Sequence, residues 1–199
     1  GINDYKDKIY NSLVVLNHEL KVIDSYNKNK LVPFGEFLPF EKFLTKMGLK
    51  KITYGYESFS KGKERKIIEL KNVSFDFKLL PLICYEIIYS GQLKGNSNNY
   101  DFIINISEDG WFGQSIGPEQ HFVHAIFRSI EEGKNIIRSA NNGISAFINP
   151  KGQIIKQIKS TERGVMEIKS FEQTKKTIFR RCESKNRLGL CQRLCGSST

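Results

Sequence analysis

An apolar run that ends in a cysteine constrains the fold of this chain most strongly. Residues 79–83 are apolar throughout, and Cys84, Tyr85 and Glu86 follow them directly. An apolar run of this kind is typical of a buried strand, so the thiol is expected at a strand end. There it can serve as a nucleophile if a cation or a base lies nearby, because the thiolate is the reactive form. The alternative is a structural core cysteine, since free cysteines are often buried.

A lysine is expected at a second strand end. Two runs with strand character, 11–17 and 21–26, are separated by a short turn, and Lys28 comes just after the second run. Prolines and a glycine make the following segment, up to residue 39, rigid and non-helical. Lys28 or Glu36 alone would be interpreted as a solvated surface charge. Their placement together with a strand-end cysteine favours a chemical role.

A third strand end carries acidic and aromatic residues. The apolar run within 101–107 predicts another buried strand. It is followed by the loop 108–113, which has the sequence Glu-Asp-Gly-Trp-Phe-Gly. Three predicted strand ends therefore carry a lysine, a cysteine and an acidic, aromatic loop.

The remaining pattern predicts a layered α/β domain. Apolar positions recur at helical spacing from 119 to 140, which predicts one long helix, and Pro118 suits its first turn. Buried strands that alternate with helices are typical of a layered α/β fold. The other predicted elements are a short helix at 41–47, a flexible loop at 55–66, a hairpin of 66–70 and 73–77, a short helix at 87–94, a hairpin of 144–149 and 153–158, and a last strand at 165–168.

The distribution of charge argues against nucleic-acid binding. The formal net charge is +10, but seven Lys or Arg and one Glu lie from residue 175 onward, a net charge of +6. The rest of the chain carries 24 basic and 20 acidic groups, a net charge of +4, and shows no nucleic-acid-binding module. The length allows one domain with a sizeable core. No apolar segment reaches the roughly 18 to 20 residues that span a bilayer.

Metal binding is not expected either. Three of the four cysteines, Cys182, Cys191 and Cys195, have a spacing that fits no standard zinc pattern, and no histidine lies near them. His121 and His124 lie three residues apart on the predicted long helix, but no cluster of cysteines or acids completes a metal site. We therefore expect structural roles for these two histidines, and no cofactor.

Five segments carry a family resemblance: 26–39, 83–88, 104–113, 115–122 and 138–146. The blocks Leu-Val-Pro-Phe-Gly-Glu and Trp-Phe-Gly-Gln-Ser-Ile-Gly-Pro-Glu-Gln-His are the most specific. From residue 10 to residue 168 the chain resembles the carbon–nitrogen hydrolase (nitrilase) domain of the bacterial apolipoprotein N-acyltransferases. The Cys-Tyr-Glu element alone is shared more loosely with nitrilase-type amidases.

The resemblance implies both a fold and a site. The fold is a nitrilase-like α-β-β-α sandwich, incomplete at its N-terminus. Cys84 matches the nucleophile, and Lys28 matches the lysine of a Glu-Lys-Cys triad. The resemblance implies supporting roles for Tyr85, Glu36 and Glu86. It implies substrate-binding roles for the aromatic residues Trp111 and Phe34.

The implied reaction is a two-step acyl transfer. The Cys84 thiolate takes an acyl chain from a phospholipid, and the thioester passes it to the N-terminal diacylglyceryl-cysteine of an apolipoprotein. The Lys28 ammonium and the backbone N–H of Tyr85 suit the oxyanion of the tetrahedral intermediates. The implied partners are the phospholipid donor, the apolipoprotein acceptor and, for the full-length protein, the membrane. The implied location is the bacterial inner membrane, with the catalytic domain facing the periplasm.

The resemblance also predicts what this chain lacks. The triad glutamate and the first strand and helix of the domain match a segment ahead of Gly1. We therefore expect a fragment that does not turn over by itself. The partial family domain is expected over 1–170. Residues 171–199 are expected to form a basic, disordered tail that does not match the family.

Two other functions stay open. A nitrilase-type amidohydrolase would use Lys28 and Cys84 in the same way, with water attacking the thioester. A non-catalytic remnant or interaction module would fit the absent glutamate. The block 31–36 and the apolar residues within 37–66 favour the acyltransferase, because a lipid-handling site needs an apolar arm at its mouth. The alternative for these apolar residues is ordinary core.

Overall fold

The computed structural model describes residues 2–5, 8–37, 39–40, 46, 58–72, 75–93, 99–172, 174 and 177–180. Over these ranges the chain forms two β-sheets and one long α-helix. The predicted helix at 41–47 lies outside the described residues except for Lys46. None of the described helices is both long and apolar enough to cross a membrane.

The smaller sheet has three antiparallel strands. They are β1 (Ile2–Tyr5), β2 (Lys8–Leu16) and β3 (Val22–Asn27), in that order across the sheet. β2 and β3 confirm the predicted strand pair. The Asn17 side chain fixes the turn between them, because its Oδ1 accepts two backbone hydrogen bonds at 2.9 Å.

The larger sheet has six strands in sequence order. They are β4 (Ile68–Asn72), β5 (Phe75–Ile83), β6 (Phe102–Glu108), β7 (Asn135–Asn141), β8 (Ser145–Ile148) and β9 (Ile154–Ile158). β5, β6 and β7 run parallel, and the other neighbours pair antiparallel. The carboxyl ends of the three parallel strands therefore lie at one edge, called here the carboxyl edge.

The long helix is shorter than predicted. Helix α1 (Gly117–Glu132) connects β6 to β7, whereas the helical spacing extended to residue 140. It ends at Gly133, whose φ of 58° is left-handed and whose N–H bonds back to two carbonyls of the last turn. Glycine adopts this conformation without a side-chain penalty. The next residues form β7, where the β-branched Ile136 and Ile137 suit a buried parallel strand.

The predictions for the shorter elements were confirmed in part. The hairpin of 144–149 and 153–158 is confirmed by β8 and β9. The earlier hairpin is confirmed as β4 and β5, but β5 continues without a break to the cysteine. The predicted helix at 87–94 is replaced by a 3-10 turn, Cys84–Ile88, that begins at the cysteine itself. The predicted strand at 165–168 is wrong, because this segment has no regular structure.

Two apolar layers cover the two faces of the larger sheet. Side chains on one face, among them Leu80, Leu82 and Ile103, pack against helix α1. Alternate side chains point the other way, because successive residues of a strand face opposite sides. These residues pack against the smaller sheet and include Leu79, Ile83 and Phe102. The described residues thus form three layers, helix, sheet and sheet, of the four that the resemblance implies.

The described part of the expected tail packs on the domain. The Phe171 ring stacks on Phe102 with a centroid distance of 5.2 Å. The Thr177 hydroxyl donates to the Glu131 carbonyl, and the Arg180 guanidinium lies 5.2 Å from the Tyr100 ring centroid. An aromatic stack, a partly buried hydrogen bond and a cation–π contact thus join these residues to the domain. Positions 173, 175 and 176 and the stretch 181–199, with its three cysteines, lie outside the described residues.

Candidate active site

Cys84 lies at the carboxyl edge, where β5 ends. It begins the turn Cys84–Ile88, and its φ of 51° is left-handed. This conformation costs a residue with a side chain about 1–2 kcal/mol, so neighbouring bonds must hold it. Asn105 on β6 supplies two of them, because its Nδ2 donates to the carbonyl oxygens of Leu82 at 3.2 Å and of Cys84 at 3.4 Å. The half-buried Sγ lies 4.0 Å from the carbonyl oxygen of Glu108.

Lys28 lies directly after β3 and is 1% exposed. Its Nζ is 2.8 Å from Oε2 of Glu36. The same carboxylate accepts hydrogen bonds from the Asn11 side chain at 2.8 Å and from the Val32 amide at 2.9 Å. These extra bonds matter, because a buried ion pair must replace the water that both charges have lost. Lys28 and Glu36, both singled out in the sequence, are therefore in direct contact.

The backbone of Lys28 is fixed from two sides. Its N–H donates to the Asn11 carbonyl at 2.8 Å, and its carbonyl accepts from the Gly62 N–H at 2.8 Å. Gly62 lies so close to β3 that a Cβ there would be 2.1 Å from the Asn27 carbonyl oxygen. Only glycine fits this approach, so the loop that carries Gly62 helps to set the position of Lys28.

Glu86 joins the cysteine turn to the lysine segment. It is fully buried, and its Oε2 accepts a hydrogen bond from the Ile83 amide at 2.9 Å. The donors to Oε1 are the Tyr26 hydroxyl at 2.8 Å, the amides of Asn29 and Lys30 at 3.1 Å, and Nη2 of Arg65 at 3.4 Å. Burial and the Glu86 charge raise the pKa of the Tyr26 phenol, which keeps it a donor. One carboxylate thus fixes the end of β5 against the end of β3, and so Cys84 relative to Lys28.

The aromatic residues expected to bind substrate are exposed. Phe34 is 47% exposed and has a left-handed φ of 62° in the turn after Lys28. Trp111 is 66% exposed on a second 3-10 turn, Gly110–Phe112, that follows β6. Tyr85, beside the thiol, is 37% exposed. Exposed aromatic side chains therefore lie on the segments that follow all three strand ends.

A buried polar cluster behind the thiol was not predicted. His121 Nδ1 lies 2.9 Å from Oδ1 of Asp109, and the Ser107 hydroxyl donates to the same oxygen at 2.7 Å. Arg138 donates to Oδ2 of Asp109 at 2.7 Å and also to the Asn105 side chain. Burial raises the pKa of Asp109, but the His121 hydrogen bond and the Arg138 charge outweigh it and hold the pKa below the ordinary 3.8. The cluster supports Asn105 and, through it, the Cys84 turn.

Arg138 escaped prediction because its segment was assigned to the long helix. The contacts of His121 are those of a structural residue, with its ring 5.8 Å from Tyr85 and 5.7 Å from Phe112. Across the described ranges, no group of three or more His, Cys, Asp or Glu side chains could hold a metal ion.

Glu108 is a further carboxylate at the carboxyl edge. Its Oε1 accepts hydrogen bonds from the Gly110 amide at 2.8 Å and from the Asn142 side chain at 3.1 Å, and its Oε2 accepts one from the Asn141 side chain. Burial raises its pKa, but these three donors outweigh burial and lower the pKa below its usual value. Glu108 is therefore ionised at neutral pH. The sequence marked only the acidic loop to which it belongs.

Comparison with known proteins gives a family and close relatives. The family model described as carbon-nitrogen hydrolase matches residues 1–169. The apolipoprotein N-acyltransferase of Rhodopseudomonas palustris is 39% identical over 160 residues, which cover 80% of this chain and 29% of that protein. The protein of the same name from Bradyrhizobium diazoefficiens is 37% identical over 174 residues, 87% of this chain and 32% of that protein. The chain thus spans about a third of the length of these curated relatives.

Solved structures share the fold. Nit3 of Saccharomyces cerevisiae, a member of branch 10 of the nitrilase superfamily, matches with a TM-score of 0.54 at 20% identity, over 77% of this chain and 51% of that one. The glutamine-dependent NAD+ synthetase of Acinetobacter baumannii matches with a TM-score of 0.55 at 21% identity, over 82% and 29% of the two chains. The predicted nitrilase-like α/β fold is therefore confirmed.

Proposed function

This chain belongs to the carbon–nitrogen hydrolase family, and from that premise we propose that it carries the acyl-transfer chemistry of an apolipoprotein N-acyltransferase. Relatives of that name at 37–39% identity support the assignment. The observation that supports the proposal most is that the Glu86 carboxylate links the end of β5 to the segment after β3. Glu86 fixes the left-handed Cys84 against the segment of Lys28, a buried cation that pairs with the Glu36 carboxylate.

In the first half-reaction, Sγ of Cys84 attacks the ester carbonyl carbon of a phospholipid acyl chain. A carbon–sulfur bond forms and the ester carbon–oxygen bond breaks. The thiol proton passes to the departing alkoxide, which leaves as a lysophospholipid. The Lys28 ammonium and the Tyr85 backbone N–H stabilise the oxyanion, because fixed charge and donors act where negative charge develops.

In the second half-reaction, the free α-amino nitrogen of a diacylglyceryl-cysteine attacks the thioester carbonyl. A carbon–nitrogen bond forms and the carbon–sulfur bond breaks. The proton that the amine loses restores the Cys84 thiol. The products are an N-acylated lipoprotein and the free enzyme, ready for another phospholipid.

Exposed apolar side chains suit a lipid substrate. Phe34, Phe40, Trp111 and Ile116 are all at least 47% exposed, and they lie on segments that follow the strand ends of the site. We propose that they contact acyl chains, with Phe34 and Trp111 as the substrate-binding residues. This fits action at the periplasmic face of the bacterial inner membrane, where the phospholipid donor and the apolipoprotein acceptor meet.

A nitrilase-type amidohydrolase is the second candidate, and the fold favours it as much as the first. It would form the same Cys84 thioester, but water would be the acyl acceptor. The curated relatives favour the acyltransferase. A non-catalytic module would form no thioester at all.

The fate of the thioester tests all three functions. The full-length gene product that contains these residues is incubated with a phospholipid that carries a radiolabelled acyl chain. We expect a hydroxylamine-sensitive adduct, located on Cys84 by peptide mass spectrometry, that a diacylated lipopeptide with a free N-terminus discharges by becoming N-acylated. Cys84→Ala should remove the adduct. Release of free fatty acid without N-acylation would favour the hydrolase, and absence of any adduct would refute both enzymes.

A further inference from the structure

The orientation of Glu108 is set by the strand that carries it. Along β6, Ile103 packs toward helix α1, whereas Ile104 and Ile106 pack toward the smaller sheet. Because the side-chain period of a strand is two, Glu108 continues the row of Ile104 and Ile106. It therefore emerges on the face that packs against the smaller sheet, whose last strand, β3, leads directly into Lys28. The Glu108 carbonyl, on the same residue, is 4.0 Å from Sγ of Cys84.

The partners of this carboxylate among the described residues are all neutral. Gly110, Asn141 and Asn142 donate to it, and no ion pair in the described part of the chain engages it. An ionised carboxylate offers about four acceptor positions, of which these donors take three. Glu108 is also only partly buried, and no donor of the described residues takes the remaining position. The site thus holds a negative charge that no described cation neutralises.

We propose that the Glu108 side chain is the subsite for a primary ammonium group of the substrate, on a residue whose backbone carbonyl lies 4.0 Å from the thiol. This inference rests on the proposed acyl transfer, in which the acceptor is an N-terminal amine. A carboxylate held by three neutral donors forms a charge-assisted hydrogen bond with R-NH₃⁺ and does not bind a carboxylate or a phosphate. The acceptor enters charged and is oriented by Glu108. It gives one proton to solvent water before its nitrogen attacks the thioester, and the proton lost on amide formation restores the Cys84 thiol.

A purely structural role for Glu108 predicts a different outcome. Its hydrogen bonds also cap the loop that contains Asn141 and Asn142, and that role depends on shape more than on charge. Glu108→Gln keeps the shape and removes the charge, whereas Glu108→Asp keeps the charge on a shorter side chain. Glu69→Gln is the matched control, because this exposed carboxylate on β4 already has a cation partner, Lys78 at 2.7 Å. Thermal unfolding of all three variants reports the structural contribution separately.

The two half-reactions are measured separately on the full-length gene product. Thioester formation from phosphatidylglycerol, which has no amine, is the reference for each variant and tests the proposed function by itself. If wild-type protein forms no thioester, the proposed function fails, independently of Glu108. Discharge of the preformed thioester by a lipopeptide, followed against lipopeptide concentration, tests the ammonium subsite.

We expect Glu108→Gln to raise the KM for the lipopeptide about tenfold, which corresponds to about 1.4 kcal/mol, and Glu108→Asp to recover part of the loss. If thioester formation from phosphatidylethanolamine falls while that from phosphatidylglycerol does not, the ammonium that Glu108 binds is that of the donor headgroup, and the subsite stands. Unchanged kinetics with both amines would overturn it. So would an equal loss in every assay, including the amine-free donor, because that is the result of a structural residue.

Discussion

Replacement of Glu86 by glutamine tests the hydrogen bonds with which this carboxylate links the two sheets. The change keeps the size of the side chain and removes its charge. Among the described residues, five groups donate to the carboxylate: they belong to β3, the segment after it, Arg65 and the end of β5. A glutamine amide can accept at only one of the two oxygen positions. Its NH₂ group must face a donor at the other position, where two donors then oppose each other.

The structure gives a magnitude for this loss. If the NH₂ group takes the Oε2 position, the buried Ile83 amide loses its acceptor, which costs about 1–3 kcal/mol. Arg65 also loses its anionic partner, and removing one partner of a buried ion pair costs about 3–5 kcal/mol. Because Nη1 of Arg65 keeps its bond to the Gln92 carbonyl, we expect a combined loss of about 3–5 kcal/mol. For a chain of this size that lowers the melting temperature by roughly 6–20 °C.

Urea unfolding of the chain, followed by far-UV circular dichroism, measures the loss. Glu69→Gln is again the control. Because Glu69 is an exposed carboxylate, its replacement is expected to leave the unfolding midpoint unchanged within error. A loss below about 1 kcal/mol for Glu86→Gln, the range of an ordinary surface contact, would refute the argument. Glu86 would then not fix the cysteine turn against the lysine segment.

Three further predictions concern the same site. Lys28→Met should slow acylation of Cys84 by orders of magnitude in the phospholipid assay while leaving the circular dichroism spectrum intact, and a normal rate would remove Lys28 from the oxyanion. Gly62→Ala should lower the free energy of unfolding in urea by about 1–3 kcal/mol, because its Cβ would clash with the β3 backbone. Gly35→Ala is the control and should cost less, since the nearest atom to its Cβ would be a side-chain carbon at 3.5 Å. Equal losses for the two variants would contradict this. The depressed pKa of Asp109 means that its contribution to stability is full above the ordinary 3.8 and is lost as the pH falls through the lower, folded value. Asp109→Asn should therefore flatten the acid limb of the stability profile, and an unchanged slope would argue against the ionised state.

The sequence could place the thiol and the lysine because each follows a strong local pattern. Cys84 ends an apolar run, and Lys28 follows a strand pair, so a strand assignment was enough to bring both to an edge. The contact between Lys28 and Glu36 is also short in sequence, since one rigid turn separates them. Features of this kind depend on local periodicity, which a single sequence contains.

Other parts of the site depend on long-range register and could not be predicted. The helical spacing of Ile136 and Ile137 is continuous with helix α1, and only the conformation of Gly133 shows where the helix ends. Arg138 was therefore assigned to a helix and not to the central strand that points it at Asp109. The donors to Glu86 come mostly from backbone amides, which carry no side-chain signal. The direction in which Glu108 points could be inferred only from the alternation of side chains along β6 in the structure.

The packing of Phe171, Thr177 and Arg180 affects where this domain should be truncated for laboratory work. The family match ends at residue 169, two residues before the Phe171 ring that covers Phe102. A truncation at the family boundary would strip that ring and leave the amino ends of the parallel strands open to solvent, on the side of the sheet away from the thiol. A protein shortened there would be prone to aggregate, even with Cys84 and Lys28 in place. Reagents for inhibitor screening or antibody production should therefore retain the chain at least through Arg180.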